Sequence, residues 1–548
     1  MIFLTIIGFL LLLSAVYRSL QLLTTYFKWR TLQAIPGPDC SFWMGQFTAI
    51  RREPFMSQQT SWLQNLPDDA PLLRYNNLLG HNFLMILDPA IIKEILTAPA
   101  GKNDCRFYKP MFFFPSIVGK GLVTLEGEEW VKHRRLIQPA FAVPFLKQAL
   151  DASVAPKTEN FLQLWLKVGP KQEIDVATHL AALTLDIIGD VGFSHSCDGM
   201  KDMAAWAEQA VAASENHENE VAAISPELSD PLITSMIALL KQQPLRFIMY
   251  VSGFGWLDPL INPKTKRARA ALNDSVDGII ANARKFDSKN SNSSTSTSQK
   301  KRTRSLLQVL MEAKDDESLS SSTKRSKSRA IGLTDRELRD EVKTFLLAGH
   351  ETTSTWCYWA IFAMAKYPDV QEKLYDDVMK EAPSTGAISL EQVEQMEYLS
   401  AFLIECLRLF PPLGITLRRN RYEECFAGYK VPAGTTLMIS MHLLHRNPKY
   451  WGPDAEAFQP ERWLADKNGG VAGGGIDTKG FTFLPFGAGG HSCIGYRFAT
   501  IEAKLIMAHM ARALRIEIAP SQQNVKHTFT SSITTKTKPS LKVVVKQR

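Results

Sequence analysis

"FLPFGAGGHSCIG", Phe483 to Gly495, sets one cysteine, Cys493, in a run that also holds Gly487, Gly489, Gly490 and Gly495. Two readings compete for a thiol among residues that give up side chains. Free cysteine is often a small buried apolar group, and glycines mark turns. A glycine-crowded backbone can instead wrap a bulky ligand closely and enter left-handed conformations that other residues resist. A helical pattern, "GYRFATIEAKLIMAHMARAL", starts directly behind Cys493, placing the sulfur near a positive dipole end and free N–H groups, which favour a thiolate. A thiolate is a nucleophile or a metal ligand. As a nucleophile it has no base nearby in sequence, so a base would have to come from elsewhere in the fold.

The remaining chain narrows the choice. Its 548 residues, 45% hydrophobic and 22% charged, describe a globular protein large enough for one big domain or several. Seven cysteines, Cys40, Cys105, Cys197, Cys357, Cys406, Cys425 and Cys493, form no CxxC pair, which argues against a disulfide scaffold and for a reducing compartment. The net charge of +8 is modest for this length and sits partly in "KKRTR" and "KRSKSR". Within a Ser-rich stretch, those runs read as solvated loop and not as a nucleic-acid patch.

At the N-terminus "MIFLTIIGFLLLLSAVY" is apolar, is interrupted by Arg18 and resumes as "SLQLLTTYF" before "KWR". To Phe27 this is roughly 26 residues, about 39 Å as a helix, enough to cross a bilayer with tilt if Arg18 snorkels. No basic residue precedes the apolar core and no A-x-A site follows it, against a cleaved signal peptide. Lys28 and Arg30 place the body in the cytosol by the positive-inside rule. The expectation is a membrane anchor and flank over 1–30 and a catalytic domain over 31–548, joined by the stiff elbow "IPGP".

Along the body, "NFLMIL" reads as a strand and "DPAIIKEIL" as a helix with Asp88 at N-cap and Pro89 at N1. Helical periodicity then dominates from Glu129 to about Arg446, apart from a low-complexity insertion at about 287–329 around the amphipathic piece "RSLLQVLMEAK". Behind it "TDRE" is a capping box, Thr334 at N-cap and Glu337 at N3, opening roughly 32 residues of helix, about 48 Å long. Its centre, "LLAGHETTST", puts Gly349, His350, Glu351, Thr352 and Thr353 where length and flanking apolarity predict core. "FAGYKVPAGTTLMISM", "RIEIA" and "SLKVVVK" read as strands.

A lone cysteine supplies neither a zinc nor an iron–sulfur ligand set, but it suits haem, whose four porphyrin nitrogens leave one axial place to the chain. "FGAGGHSCIG" fits the F-x-x-G-x-[R/H]-x-C-x-G signature of the cytochrome P-450 superfamily, the haem-thiolate monooxygenases, with Phe486, Gly489, His491 and Cys493 at its fixed positions. "WVKHRR" resembles the family's W-x-x-x-R, "AGHETT" its [A/G]-G-x-[D/E]-T-[T/S], "ECLR" its E-x-x-R and "FQPERW" its P-E-R-F/W. Each match is weak alone; their order over nearly the whole chain is specific. On a helix Trp130 and Arg134 share a face and can offer donors to one haem propionate. Glu405 and Arg408 also share a face among apolar residues, where a charge needs a partner; the resemblance adds Arg462 and implies a structural triad. His491 stands where many relatives carry Arg, making its propionate contact pH-dependent. Arg418 is a further propionate candidate, with Arg419 its competitor.

The resemblance implies a mainly α (α+β) cytochrome P-450 fold, a helical domain with a smaller β region. It implies haem b held by Trp130, Arg134, Arg418, Phe486, Gly489, His491 and Cys493, with Cys493 ligating iron. It places the "GHETT" centre over the haem face where dioxygen binds: Gly349 leaves room, Thr352 holds oxygen and water, and Glu351 relays protons. A threonine bonding back to its own helix is the bland alternative. The implied reaction is monooxygenation of a lipophilic fatty acid, terpenoid, sterol or xenobiotic. No G-x-G-x-x-G opens a βαβ unit, so electrons come from a separate partner, NADPH-cytochrome P-450 reductase, with cytochrome b5 as a second donor, at the endoplasmic reticulum membrane. Candidate pocket walls are "RFYKPMFFFPSIV", Phe345 to Gly349, "LGITL" and "SSIT". Two rivals are a reductase-independent isomerase or dehydratase of lipid peroxides and a non-enzymatic haem sensor. Thr352 and an uninterrupted cysteine loop count against the first, and the acid and alcohol against the second.

Overall fold

The computed structural model describes residues 2–46, 48–49, 52–67, 69–110, 115–170, 172–215, 226–241, 263–292, 305–312, 332–464, 479–531 and 533–548. Helices dominate, arranged around Asp335–Lys366, the central helix. Its start is fixed by the capping box: the Thr334 hydroxyl accepts from the Glu337 N–H at 3.3 Å, and Glu337 Oε2 accepts from the Thr334 N–H at 2.7 Å. Apolar side chains bury most of its length, from Leu338 to Met364. The helix Val176–Phe193 packs against it and is long and apolar enough to cross a membrane, but lies buried in the core. Gly349 explains how closely the two approach. A Cβ there would stand 2.9 Å from Ile188 Cγ1. The missing side chain of Gly349 thus makes room for Ile188.

A five-stranded sheet flanks the helical core in the order Leu72–Asn76, Asn82–Ile86, Thr436–Ser440, Ile415–Asn420, Phe107–Tyr108. Asn82–Ile86 and Thr436–Ser440 run parallel and the other neighbours antiparallel. Ile415–Asn420, "ITLRRN", interrupts the stretch read as helical to Arg446. Two adjacent arginines mask its alternation, and pairing on both edges makes it a strand. The hairpin Thr528–Ser531/Thr535–Lys538, a small sheet of Ile174–Asp175, Lys542–Gln547 and Leu514–Ile518, and the pair Glu424–Phe426/Tyr429–Val431 make up the rest of the described β part. Asp88 caps Pro89–Thr97 as expected, accepting from Ala90 N–H at 2.6 Å.

The N-terminal helix spans Ile2–Leu32 without a break. Leu12, Leu13, Val16, Tyr17, Leu20 and Phe27 are exposed along it, whereas Leu32 and Ile35 are buried in the body. Of the insertion expected over 287–329, the first six residues continue the helix Pro263–Asn292, and Leu306–Glu312 is a helix with Leu306, Leu307 and Leu310 buried. Residues 293–304 and 313–331 lie outside the described part.

A buried ionic cluster holds the segment leading to the cysteine loop. Glu405 and Arg408, on the helix Glu397–Leu409, pair bidentately at 2.8 and 2.7 Å with both side chains fully buried. Arg408 uses its other donors on the carbonyls of His445, Ala455 and Ala457, and Glu405 also accepts from Arg462 Nε at 3.2 Å, Gln459 N–H and Trp463 Nε1 at 2.8 Å. Burying two charges is costly unless every donor and acceptor is met, and here the polar partners converge on them. His445 passes the constraint on: its backbone oxygen takes Arg408, while its Nε2 accepts from Leu484 N–H at 2.9 Å, one residue into "FLPFGAGG". Glu405→Gln leaves the Arg408 guanidinium buried without its counter-charge. A loss of about 3–5 kcal/mol is expected in chemical denaturation, accompanied by poor haem retention.

Candidate active site

The cysteine loop is closed by its own backbone. Gly487 N–H donates to Leu484 O at 3.0 Å, Ser492 N–H to Gly489 O at 3.1 Å and Cys493 N–H to Phe486 O at 2.9 Å. Gly489 has φ +70°, and a Cβ there would lie 1.9 Å from Leu96 O, so only glycine fits. Gly490 presents its bare face to the Trp130 ring, 3.3 Å from where a Cβ would stand. The helix Tyr496–Ala513 follows at once, as read from sequence. Cys493 combines an exposed side chain with a desolvated sulfur, as expected for a group lining an interior cleft. Burial pushes its thiol above the ordinary value; the Gly495 N–H and the Arg134 charge only partly reverse this. The helix start therefore does not by itself produce the thiolate. A cation bonded to sulfur would, as coordinated thiols are deprotonated outright.

Next to the loop lies a basic rim. Trp130 and Arg134 project from the helix Gly127–Ile137; Arg134 Nη1 donates to Ser492 O at 2.9 Å, one residue from the cysteine. The Trp130 and His491 rings are 4.3 Å apart. Arg418 is buried, and its hydrogen bonds go to Leu417 O at 2.8 Å and Thr416 Oγ1 at 3.3 Å. Lys109 is half-buried, 3.8 Å from Glu126 Oε1 and donating to Val123 O. Burial and the charges of Arg418 and Arg134 lower its pKa to about 8 against the attraction of Glu126. Arg419 points elsewhere, donating to Thr436 Oγ1, so of the two neighbours Arg418 joins the rim.

His491 behaves differently from an arginine at that position. Its Nε2 stands 3.3 Å from Glu126 Oε2, without hydrogen-bond alignment. Burial, first, and the nearby Lys109 and Arg418 charges lower its pKa against the opposing pull of Glu126. Lys109 and Arg418 thus face one carboxylate, Glu126, while Arg134 is the cation beside Cys493. Burying cations with so little opposing charge is costly, and the anionic propionates of haem b suit this rim. Together with the open sulfur and the glycine cradle, this donor set fits haem.

On the central helix the polar centre is engaged by the C-terminal hairpin. Glu351 Oε1 accepts from Thr534 Oγ1 at 2.6 Å and lies 3.2 Å from Lys536 Nζ; its Oε2 is 3.7 Å from His350 Nε2. Burial pushes the Glu351 carboxyl up, but Lys536, His350 and the Thr534 hydroxyl outweigh it and hold it below the usual carboxylate range. Thr352 donates to Ala348 O at 2.7 Å, the back-bonded arrangement weighed as its bland alternative. Phe345 is buried against Phe141 at 5.6 Å, and Ile117 and Val118 belong to the helical core. Met111, Phe112, Phe113, Phe114 and Ser532, expected as pocket wall, lie outside the described residues.

Sequence reasoning missed Lys109, Glu126, His445, Trp463, Thr534 and Lys536. Trp463 was in view within "PERW", and Lys109 and Thr534 within "RFYKPMFFFPSIV" and "SSIT", both taken only as wall. The others carry no local signal, because their partners are remote in the chain.

The cytochrome P450 family model matches residues 35–543. Among curated proteins the chain is 27% identical over 500 residues to "Cytochrome P450 4B1" of Rattus norvegicus, covering 91% of this chain and 87% of that one. It is 28% identical over 449 residues to "Secologanin synthase 2" of Catharanthus roseus, covering 81% and 75%, and 26% identical over 512 residues to "Protein LUTEIN DEFICIENT 5, chloroplastic" of Arabidopsis thaliana, covering 92% and 76%. A family match across this span, on a mainly helical fold with the thiol loop and basic rim in place, leads to one conclusion: the chain belongs to the cytochrome P-450 family of haem-thiolate monooxygenases.

Proposed function

We propose that this protein is a membrane-anchored P-450 that hydroxylates or epoxidises a lipophilic small molecule with electrons from a separate NADPH-dependent reductase. The observation that carries the reading is the Cys493 sulfur opening beside a rim of cations, Lys109, Arg134 and Arg418, while an acid and an alcohol stand on the central helix. Haem b, when bound, supplies the iron that activates dioxygen.

The chain's own residues supply the setting. Cys493 would bind the haem iron, with the Gly495 N–H and the Arg134 guanidinium easing the charge on its sulfur. Trp130, Arg134 and Arg418 hold the propionate edge, with Lys109 as a further cation. His491 assists by packing on Trp130 more than by charge. Phe486 and Gly489 shape the loop, and Glu405, Arg408 and Arg462 keep it in place. Glu351, an anion at neutral pH, is a relay and not a reservoir: it receives protons from the side of Lys536, whose side chain is 31% exposed, and passes them inward. Thr352, released from Ala348 O, orients the proton acceptor.

Phe345, Phe141 and Ile188 supply apolar surface, which favours a fatty acid, terpenoid, sterol or xenobiotic over a polar metabolite. The exposed apolar helix Ile2–Leu32 is the proposed anchor, holding the body at the cytosolic face of the endoplasmic reticulum. Exposed Arg135 and Arg497, on the thiolate side, suit an acidic electron-transfer partner such as the reductase or cytochrome b5.

Full-length protein in vesicles with reductase and NADPH, titrated spectrally with representatives of each lipid class, tests the reading. Product formation coupled to NADPH oxidation supports it; conversion of a lipid peroxide without reductase, and none with it, would sink it. Cys493→Ala is expected to abolish the red-shifted band that a thiolate ligand gives the reduced carbon monoxide complex, and a retained band reassigns the ligand. Glu351→Gln and Lys536→Met should each lower the ratio of product to NADPH consumed. Glu351→Gln should cut turnover by roughly a hundredfold, as expected for loss of a proton-transfer group.

A further inference from the structure

His133 lies between Trp130 and Arg134 in sequence, yet its side chain turns to a different neighbour. It is 3% exposed. Its Nδ1 is 2.6 Å from Glu341 Oε1 and its Nε2 3.3 Å from Glu337 Oε1, two carboxylates one turn apart on the central helix. A neutral imidazole can donate from one ring nitrogen alone, so with ionised carboxylates on both sides the imidazolium is the form that satisfies both contacts. Glu341 is fully buried, and Glu337 is also engaged by Lys132 Nζ at 2.9 Å and by the Thr334 N–H of the capping box.

We infer that His133 is a charged pin: as imidazolium it ties the helix Gly127–Ile137 to Glu337 and Glu341 of the central helix and so positions Trp130 and Arg134 at the haem edge. The inference rests on the proposed role of those two residues as haem contacts. It makes His133 a positioning residue and no participant in the reaction.

The facing groups are Glu337 and Glu341, with Asp340 adding negative charge behind Glu341, Lys132 sharing Glu337, and the Leu122 N–H easing Glu341 from the Gly119–Leu125 side. Burial lowers the His133 pKa, but the two carboxylates outweigh it and the net shift is upward. Burial raises Glu341, against the opposing pull of His133. A histidine raised in the folded state stabilises fully below its ordinary pKa of 6.5, and the contribution is lost as pH rises through the folded value. The pin therefore loosens on the alkaline side.

Transfer of haem from the full-length holoenzyme to excess apomyoglobin reads this directly, without turnover. Wild type should release haem slowly at neutral pH and faster once His133 discharges. His133→Asn and Glu341→Gln should release it roughly ten- to a hundredfold faster at neutral pH, the factor for losing a charge-assisted hydrogen bond, with no alkaline step in His133→Asn. The double variant His133→Gln/Glu341→Gln, able to form a neutral bond, should release more slowly than either single change. An alkaline step that survives in His133→Asn belongs to another group, such as Lys109, and overturns the inference. Equally, release at the wild-type rate from folded His133→Asn overturns it. If His133→Asn does not fold, Glu337→Gln, at a half-buried site, carries the test: the step must move to lower pH, and an unmoved step overturns the pin. Arg134→Gln separates the two layers. If it leaves haem release unchanged, the haem-edge reading itself fails; if it speeds release while His133→Asn does not, only the pin fails.

Discussion

The Glu405–Arg408 pair is the interaction on which the site depends. A carboxylate and a guanidinium fully removed from water tolerate no loose end, and the chain meets each with backbone and side-chain partners. Those partners come from His445, the 454–459 stretch and "PERW", segments that lack regular structure of their own beyond single turns. The ionic cluster therefore does for this irregular region what a hydrophobic core does elsewhere. Through His445 and Leu484 the constraint reaches the loop that aims Cys493.

Around the haem site, charge is arranged in two unlike layers. On the edge, Lys109, Arg134 and Arg418 exceed the negative charge that faces them, which suits a dianionic ligand. On the central helix, charges are matched within the protein: Glu351 by Lys536, and Glu337 and Glu341 by His133 and Lys132. The first layer is completed by a cofactor. The second holds elements that position it, on the one helix capped at Thr334.

Much of this was legible along the chain. The capping box, the length of the central helix, the helix behind Cys493 and the Asp88 cap follow from residues within one or two turns of each other, where backbone geometry alone dictates the contact. Glu405 and Arg408 were readable as a pair for the same reason. The strand "ITLRRN" was not, because two consecutive arginines hide its alternation and its identity comes from neighbours on either edge. Nor was it legible that Gly349 makes room for Ile188, some 160 positions away in the chain. The thiol was read as favoured by its helix start, and the Gly495 N–H pulls that way, but burial, which depends on everything packed around the sulfur, pushes the thiol up.

What the sequence determined by itself is the family, the glycines that the cysteine loop requires and the helices that carry the acid and the alcohol. These depend on residue type at short spacing. Tertiary structure alone decided that Arg418 and not Arg419 joins the rim, that burial lowers the His491 pKa, and that Lys536 reaches Glu351 from a hairpin near the C-terminus. The physical reason is common to all three: pairing and desolvation are set by distance in space, and a strand puts adjacent residues on opposite faces whatever their charge.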